Sequence, residues 1–85
     1  MKISKNILFR YESGIKGGKL FIFDLNRYKV YEGNYLEYLV LNGIKNNDMI
    51  QDIEKNIANT CQINNLEDKI KQFLVSLQKL GVLES

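Results

Sequence analysis

Residues 19–34 have the sequence KLFIFDLNRYKVYEGN, and this stretch decides the fold. Its first part, residues 19–25, is rich in aromatic and β-branched side chains and predicts a strand. Asn26 and Arg27 form a very short turn. Residues 28–32 then alternate with the period of two that a strand requires, so they predict a second strand that pairs antiparallel with the first.

A third strand precedes this pair in the sequence. Residues 6–12 have the same aromatic and β-branched character, and residues 13–18, SGIKGG, form a flexible hairpin loop. In a simple three-stranded meander, residues 28–32 lie at the edge of the sheet and leave one row of N–H and C=O groups unpaired. Such an edge either recruits a partner strand or promotes aggregation.

The rest of the chain has a helical pattern. From Asn34 onward, apolar residues recur every three or four positions, most clearly in a stripe formed by Leu66, Ile70, Phe73, Leu74, Leu77 and Leu80, which ends at Gly81. Three capping-box pairs mark the predicted helix starts: Asn34 with Glu37, Asp48 with Gln51, and Asn64 with Glu67. The sequence therefore predicts one α+β domain over residues 1–85, a three-stranded antiparallel sheet followed by three helices in a winged-helix-like arrangement.

The amino-acid inventory excludes most familiar catalytic sites. The 85 residues include no His and one Cys. A Ser-His-Asp or Cys-His relay, a zinc site of His and Cys ligands, and an internal disulfide are therefore excluded. We expect a protein that is not an enzyme and that uses no cofactor or metal, with Cys61 as a small buried apolar side chain.

The sequence also bears on location. The longest apolar runs, LFIF at residues 20–23 and YLVL at residues 38–41, are far shorter than the roughly 20 residues that span a bilayer. The N-terminus lacks the apolar segment of a signal peptide. Together with the single thiol, these features favour a cytoplasmic protein.

Three segments carry a resemblance to a known family: FDLNRYKVYEGN at residues 23–34, YLEYLVLNG at residues 35–43, and INNLEDKIKQFLVSLQKLGVLE at residues 63–84. They are similar to the PqqD-like family, whose members are called RiPP recognition elements. These proteins bind the leader segment of a ribosomally synthesised precursor peptide and present the peptide to a modifying enzyme or a leader protease. The spacing of Asp24, Leu25, Tyr31 and Asn34 is most similar to the stand-alone recognition proteins of lasso peptide clusters.

The resemblance implies a peptide-binding site at the edge strand and the third helix. In this mode a disordered leader adds as a further antiparallel strand, so that main-chain hydrogen bonds supply affinity and side-chain pockets supply specificity. The residues expected to contact the leader are Tyr28, Lys29, Val30, Tyr31 and Glu32 on the strand, and Lys71, Leu74 and Gln78 on one flank of the helix. The implied partners are the leader peptide and a separate modifying enzyme or leader peptidase, without nucleic acid.

Other interpretations of these residues stay open. The aromatic and β-branched residues of the edge strand also suit ordinary strand packing, and Leu74 also suits the core alone. Residues 20–23 are apolar on both faces of their strand, whereas a sheet covered on one side alone should alternate. Either a partner enzyme, a second copy of this chain in a homodimer, or the loop at residues 13–18 would cover that outer face.

The main rival function is DNA binding, because three strands with three helices are typical of a winged helix. The charge distribution opposes it. Residues 34–85 hold five basic and seven acidic side chains, and Glu67 and Asp68 open the third helix. A helix that contacts DNA should concentrate positive charge instead.

Overall fold

The computed structural model describes residues 1–84 and confirms the predicted α+β architecture. Within this range the elements are β1 (Lys2–Ile3), β2 (Ile7–Glu12), β3 (Lys19–Asp24), β4 (Lys29–Gly33), α1 (Tyr35–Lys45), α2 (Ile50–Thr60), α3 (Leu66–Lys79) and β5 (Leu83–Glu84). Strands β2, β3 and β4 form an antiparallel sheet in that order, so β4 lies at an edge as predicted. Strands β1 and β5 form a separate antiparallel pair, which the sequence did not predict.

The pairing register shows which backbone groups are free at the edge. The N–H of Leu25 donates to the carbonyl of Asn6 over 2.9 Å, across β2 and β3. Leu25 therefore directs its backbone groups toward β2. Because the backbone groups of successive strand residues point to opposite sides, Ile22, three residues earlier, directs its groups toward β4, where its register partner is Tyr31. The β4 residues on either side of Tyr31 therefore direct their N–H and C=O groups away from the sheet, and these residues are Val30 and Glu32.

The inner face of the sheet packs against the helices. The largest fully buried side chains of this core are Leu20, Val40, Leu41, Ile70, Leu77 and Val82. The outer face is open and only partly apolar: Leu8 is 58% exposed and Val30 is 55% exposed, and the ion-paired Lys19 and Glu32 lie on the same face. The loop at residues 13–18 leaves Leu8 and Val30 exposed. The stacked rings of Phe21 and Phe23, with centroids 6.4 Å apart, belong to this same face.

The first predicted capping box forms and the other two do not. Asn34 Oδ1 accepts from the N–H of Glu37, and Glu37 Oε1 accepts from the N–H of Asn34, each over 2.9 Å. By contrast, α2 begins after Met49 and α3 begins after Asn65, and neither residue makes a side-chain capping bond. The predictions for Asp48 with Gln51 and for Asn64 with Glu67 were wrong.

The backbone around Asn47 explains the difference at α2. Asn47 has a φ of +64°, its N–H donates to Ile44, and the N–H of Asp48 donates to Gly43 over 2.9 Å. These two bonds form the Schellman motif that ends a helix. Asp48 therefore closes α1 instead of opening α2.

A second Schellman motif confirms the predicted cap at Gly81. Gly81 has a φ of +80°, which glycine adopts without steric cost, and the N–H of Val82 donates to Leu77 over 2.9 Å. The turn directs the chain into β5, beside β1. Ser4 adds a hydroxyl bond to the carbonyl of Gly81 over 2.8 Å. We call the paired strands β1 and β5 the terminal clasp.

Two further features concern Cys61 and the helices. Cys61 follows α2, packs half-buried against the core, and has a free thiol. Among residues 1–84, no helix is both long enough and apolar enough to cross a membrane.

Candidate functional site

A groove with a volume of about 550 Å³ separates the edge strand β4 from helix α3. We call it the β4–α3 groove. The strands contribute Ile22, Val30, Tyr31 and Glu32 to its lining, and the helices contribute Glu37, Lys69, Gln72, Phe73, Ser76, Leu77 and Leu80.

The groove combines an apolar floor with a polar rim. Tyr31, Phe73 and Leu80 are half-buried and pack against the core, so each has one side in contact with the core and another accessible from the groove. The outward N–H and C=O groups of Val30 and Glu32 line the strand side. An extended chain placed in this groove would find hydrogen-bonding groups on one side and apolar surface beneath it.

A smaller cleft of about 210 Å³ continues the groove between the start of α1 and α3. The two spaces share Glu37, Lys69 and Phe73 as lining residues. Asn34 and Leu36 line its far side. The continuous surface therefore runs from the edge of the sheet to the capped start of α1.

The turn before β4 anchors one end of the groove. Asp24 Oδ1 accepts hydrogen bonds from the side chain of Asn6 over 2.9 Å and from the N–H groups of Asn26 and Arg27 over 3.0 and 3.1 Å. The guanidinium of Arg27 donates to the carbonyl of Leu80 over 2.9 Å. This bridge joins the start of β4 to the end of α3 and so fixes their spacing.

Tyr28 occupies a strained position in the same turn. Its φ is +54°, and its side chain is 93% exposed. The left-handed conformation costs a non-glycine residue roughly 1–2 kcal/mol. The ring of Tyr28 makes little contact with the rest of the fold in return, so this position is a candidate contact for a bound partner.

The same hydrogen bonds set the ionisation of Asp24. Burial alone would raise the pKa of this carboxyl group, but the N–H of Arg27, the amide of Asn6 and the N–H of Asn26 favour the ionised form. Together they hold the pKa below its ordinary value. An aspartate with a depressed pKa stabilises the fold above its unfolded pKa of about 3.9, and this stabilisation is lost as the pH falls through the lower, folded value.

We therefore expect Asp24→Asn to flatten the acid side of the stability profile. The parent should lose free energy of unfolding as the pH falls below about 4, because the Asp24 carboxylate is then protonated. The variant keeps the accepting oxygen but has no charge to titrate. Urea unfolding followed by circular dichroism between pH 2.5 and 7 measures the difference, with Asp52→Asn as the exposed control. A variant whose pH dependence matches that of the parent would contradict this role.

The structure brings three of the five predicted strand residues, Val30, Tyr31 and Glu32, to the lining of the groove. Val30 and Glu32 contribute outward backbone groups, while the Glu32 carboxylate binds Lys19 over 2.6 Å. Tyr31 lies half-buried on the groove floor, and Lys29 is exposed at the start of β4. Tyr28 lies in the turn, one residue before the strand.

The residues of the predicted α3 flank are not among those that line the β4–α3 groove. Leu74 is 7% exposed within the core, and Lys71 forms an ion pair with Glu67 over 3.1 Å. The hydrogen bond from that carboxylate, followed by its charge, raises the pKa of Lys71. Gln78 lies beside the terminal clasp. At 100° per residue, Gln78 is about 200° around the helix from Ser76, which does line the groove.

The sequence analysis did not single out the groove face of α3, which, apart from the buried Leu77, consists of Lys69, Gln72, Phe73, Ser76 and Leu80. Their steps of three, one, three and four residues fit one helix face. The sequence analysis assigned Phe73 and Leu80 to the core stripe. They lie at the edge of that stripe nearest the groove and are half-buried, so they belong to both surfaces. The three polar residues that accompany them were the available signal.

Comparison with known proteins gives one structural likeness. No protein-family model matches this sequence, and no curated protein matches it. The fold is similar to the solved structure of TbiB1 in complex with the TbiA(beta) leader peptide, with a TM-score of 0.86 and 15% sequence identity. The alignment covers 100% of this chain and 96% of that chain. At this identity the likeness establishes a shared fold over the whole domain.

The lining of the groove carries charges of both signs. Among residues 1–84, no group of three His, Cys, Asp or Glu side chains is placed to hold a metal ion. The charged side chains at the groove are Glu32, Glu37 and Lys69. An extended peptide with apolar anchors fits this surface better than a strongly anionic polymer does.

Proposed function

We propose that this protein is a RiPP recognition element of the PqqD-like kind, which binds the leader segment of a ribosomally synthesised precursor peptide. The observation that carries the proposal is the free edge of β4, whose outward groups at Val30 and Glu32 lie directly above an apolar groove. The sequence segments quoted above support it, as does the shared fold with TbiB1, which was solved with a leader peptide.

In this proposal the leader adds as a fourth strand beside β4. Val30 and Glu32 offer two N–H and two C=O groups, and each hydrogen bond formed contributes about 0.5–1.5 kcal/mol net. Those bonds alone would be offset by the cost of ordering a disordered segment. Apolar leader side chains placed over Tyr31, Phe73 and Leu80 supply the remaining affinity, at about 1.5–3 kcal/mol for each fully buried side chain.

The protein itself performs no chemistry in this proposal. It holds the leader, and a separate enzyme acts on the attached core peptide. The sequence resemblance favours a lasso peptide cluster, where that enzyme is a leader peptidase. Presentation places the reacting segment near the enzyme by raising its effective concentration.

The test is a titration of the isotope-labelled protein with synthetic leader segments of candidate precursor peptides. We expect amide shifts in β4 and in the groove face of α3. Shifts confined to α2, with β4 and α3 unchanged, would contradict the proposal. A scrambled leader is the peptide control.

A random DNA duplex is the second control in the same titration. It should bind weakly, because the groove carries charges of both signs. A protein that neutralises several phosphates loses affinity steeply between about 50 and 200 mM salt, whereas strand addition responds mildly. Tight duplex binding with a steep salt dependence would favour the winged-helix DNA-binding alternative.

A further inference from the structure

The sheet has a second free edge at β2, on the side opposite the β4–α3 groove. The hydrogen bond between Leu25 and Asn6 also shows which residues of β2 bond to β3 and which face outward. By this alternation, Phe9 and Tyr11 direct their N–H and C=O groups away from β3. The turn at the start of β2 agrees with this phase, because the N–H of Ile7 donates outward to Ser4 over 3.1 Å. An edge of this length is a template for strand addition.

Aromatic side chains border this second edge. The Tyr11 ring stacks on Tyr38 of α1 with centroids 4.8 Å apart, and Tyr35 lies 5.4 Å from Tyr11. The Phe9 ring meets Tyr38 edge-on at 6.3 Å. All four side chains keep part of their surface exposed. They form an aromatic wall between β2 and α1, in the position that the floor of the β4–α3 groove has relative to β4.

A basic apolar cleft adjoins the same edge. It has a volume of about 370 Å³, and Ile7, Phe9 and Ile44 contribute apolar surface to it. Three lysines also line it: Lys2, Lys5 and Lys45. The ammonium of Lys45 lies 5.6 Å from the centre of the Phe9 ring, and Lys2 approaches Glu84 only at 3.9 Å. The cleft therefore carries net positive charge beside the free backbone groups.

We propose that the β2 edge and this cleft form a second peptide-binding surface, for an extended acidic segment with an apolar centre that belongs to a partner protein. Strand addition would satisfy the outward groups of Phe9 and Tyr11, the apolar residues would enter the cleft, and the flanking carboxylates would pair with the lysines. A second copy of this chain would bring the same lysines to the interface, so charge favours an acidic partner. Because the two edges lie on opposite sides of the sheet, the surface would act independently of the leader site.

The test uses a blocked synthetic peptide, Glu-Glu-Val-Thr-Val-Ile-Glu-Glu, and the full-length protein. We expect amide shifts in β2 and at the end of α1, with β4 unchanged, and no comparable binding of the matched peptide that carries Lys in place of each Glu. Methylation of alternate backbone nitrogens in the acidic peptide should abolish binding in one of the two phases. Equal binding of the acidic and basic peptides, or indifference to methylation in both phases, would overturn the proposal.

Charge-reversal variants distinguish peptide binding in the cleft from a general effect of surface charge. Lys45→Glu should weaken binding of the acidic peptide at least tenfold, whereas Lys55→Glu on α2 should leave it unchanged. Lys5→Glu serves as a second cleft variant if Lys45→Glu disturbs the Phe9 contact and the fold. Sedimentation of the free protein tests the other occupant: concentration-dependent dimers that are lost on substitution at Phe9 would assign this edge to a second copy and overturn the proposal.

Discussion

Proline at Val30 is expected to abolish leader binding in a domain that stays folded, whereas proline at Tyr31 is expected to unfold it. The N–H of Val30 points outward from β4, so Val30→Pro removes a donor aimed at the leader, and its ring also obstructs the incoming strand. Edge strands tolerate proline at such positions. Tyr31→Pro instead removes a hydrogen bond to Ile22 within the sheet and disturbs a side chain packed on the core. Proline in a sheet removes a ladder hydrogen bond, and the acceptor left unpaired costs about 1–3 kcal/mol of stability, to which the lost packing of the Tyr31 ring adds.

Two measurements are needed for each proline variant. Circular dichroism and thermal unfolding establish whether the domain is folded, and a leader titration gives the affinity. Glu32→Pro shares the outward phase of Val30 and should behave similarly, while Lys29→Pro shares the phase of Tyr31. A folded Val30→Pro protein that binds the leader as tightly as the parent would exclude strand addition at β4.

Filling the groove is expected to have the second large effect. Ser76 lies in the groove wall, and its hydroxyl bonds only to the Gln72 carbonyl of its own helix, over 3.0 Å. Ser76→Trp should therefore place an indole in the groove and weaken leader binding about a hundredfold, while the helix remains intact. The neighbouring Val75 is 48% exposed and lies outside the groove lining, so Val75→Trp is the matched control.

The pair of tryptophan variants also tests which face of α3 is used. Calorimetric titration with the leader gives both affinities, and thermal unfolding verifies that both proteins fold. If Val75→Trp lost affinity and Ser76→Trp kept it, the leader would bind the flank that includes Lys71 and Gln78, as first predicted from the sequence. Equal affinities in both variants would place the leader away from α3.

The sequence predicted the sheet well because its signals are local. The strand alternation and the Asn34 box each involve residues a few positions apart, and the structure confirms them. The turn at Asn26 and Arg27 is in the predicted place but is longer than predicted, because it spans residues 25–28 and includes Tyr28. The polar face of α3 was harder to assign. Periodicity identifies an apolar stripe, but it does not show which margin of the stripe meets a neighbouring strand, since that depends on how the helix rotates in the tertiary fold.

Other features depended on distant partners. Strands β1 and β5 have two residues each, too few for an alternation pattern, and they form only because the ends of the chain meet. The left-handed backbone at Asn47 likewise directs the N–H of Asp48 to the carbonyl of Gly43, so that Asp48 belongs to the end of α1 and not to the start of α2. The binding phase of β4 could not be read from alternation alone, because either set of alternate residues can bond inward until a hydrogen bond to the neighbouring strand is known.

The terminal clasp has a practical consequence for cargo attached to this domain. Lys2 pairs with Glu84, so a tag or domain fused to either end would emerge at one place. Gln78 lines the space beside that place, on the side of α3 turned away from the β4–α3 groove. A fused enzyme or fluorescent reporter would therefore lie on the side of α3 away from the β4–α3 groove and leave the groove accessible, whether it was joined before Lys2 or after Glu84.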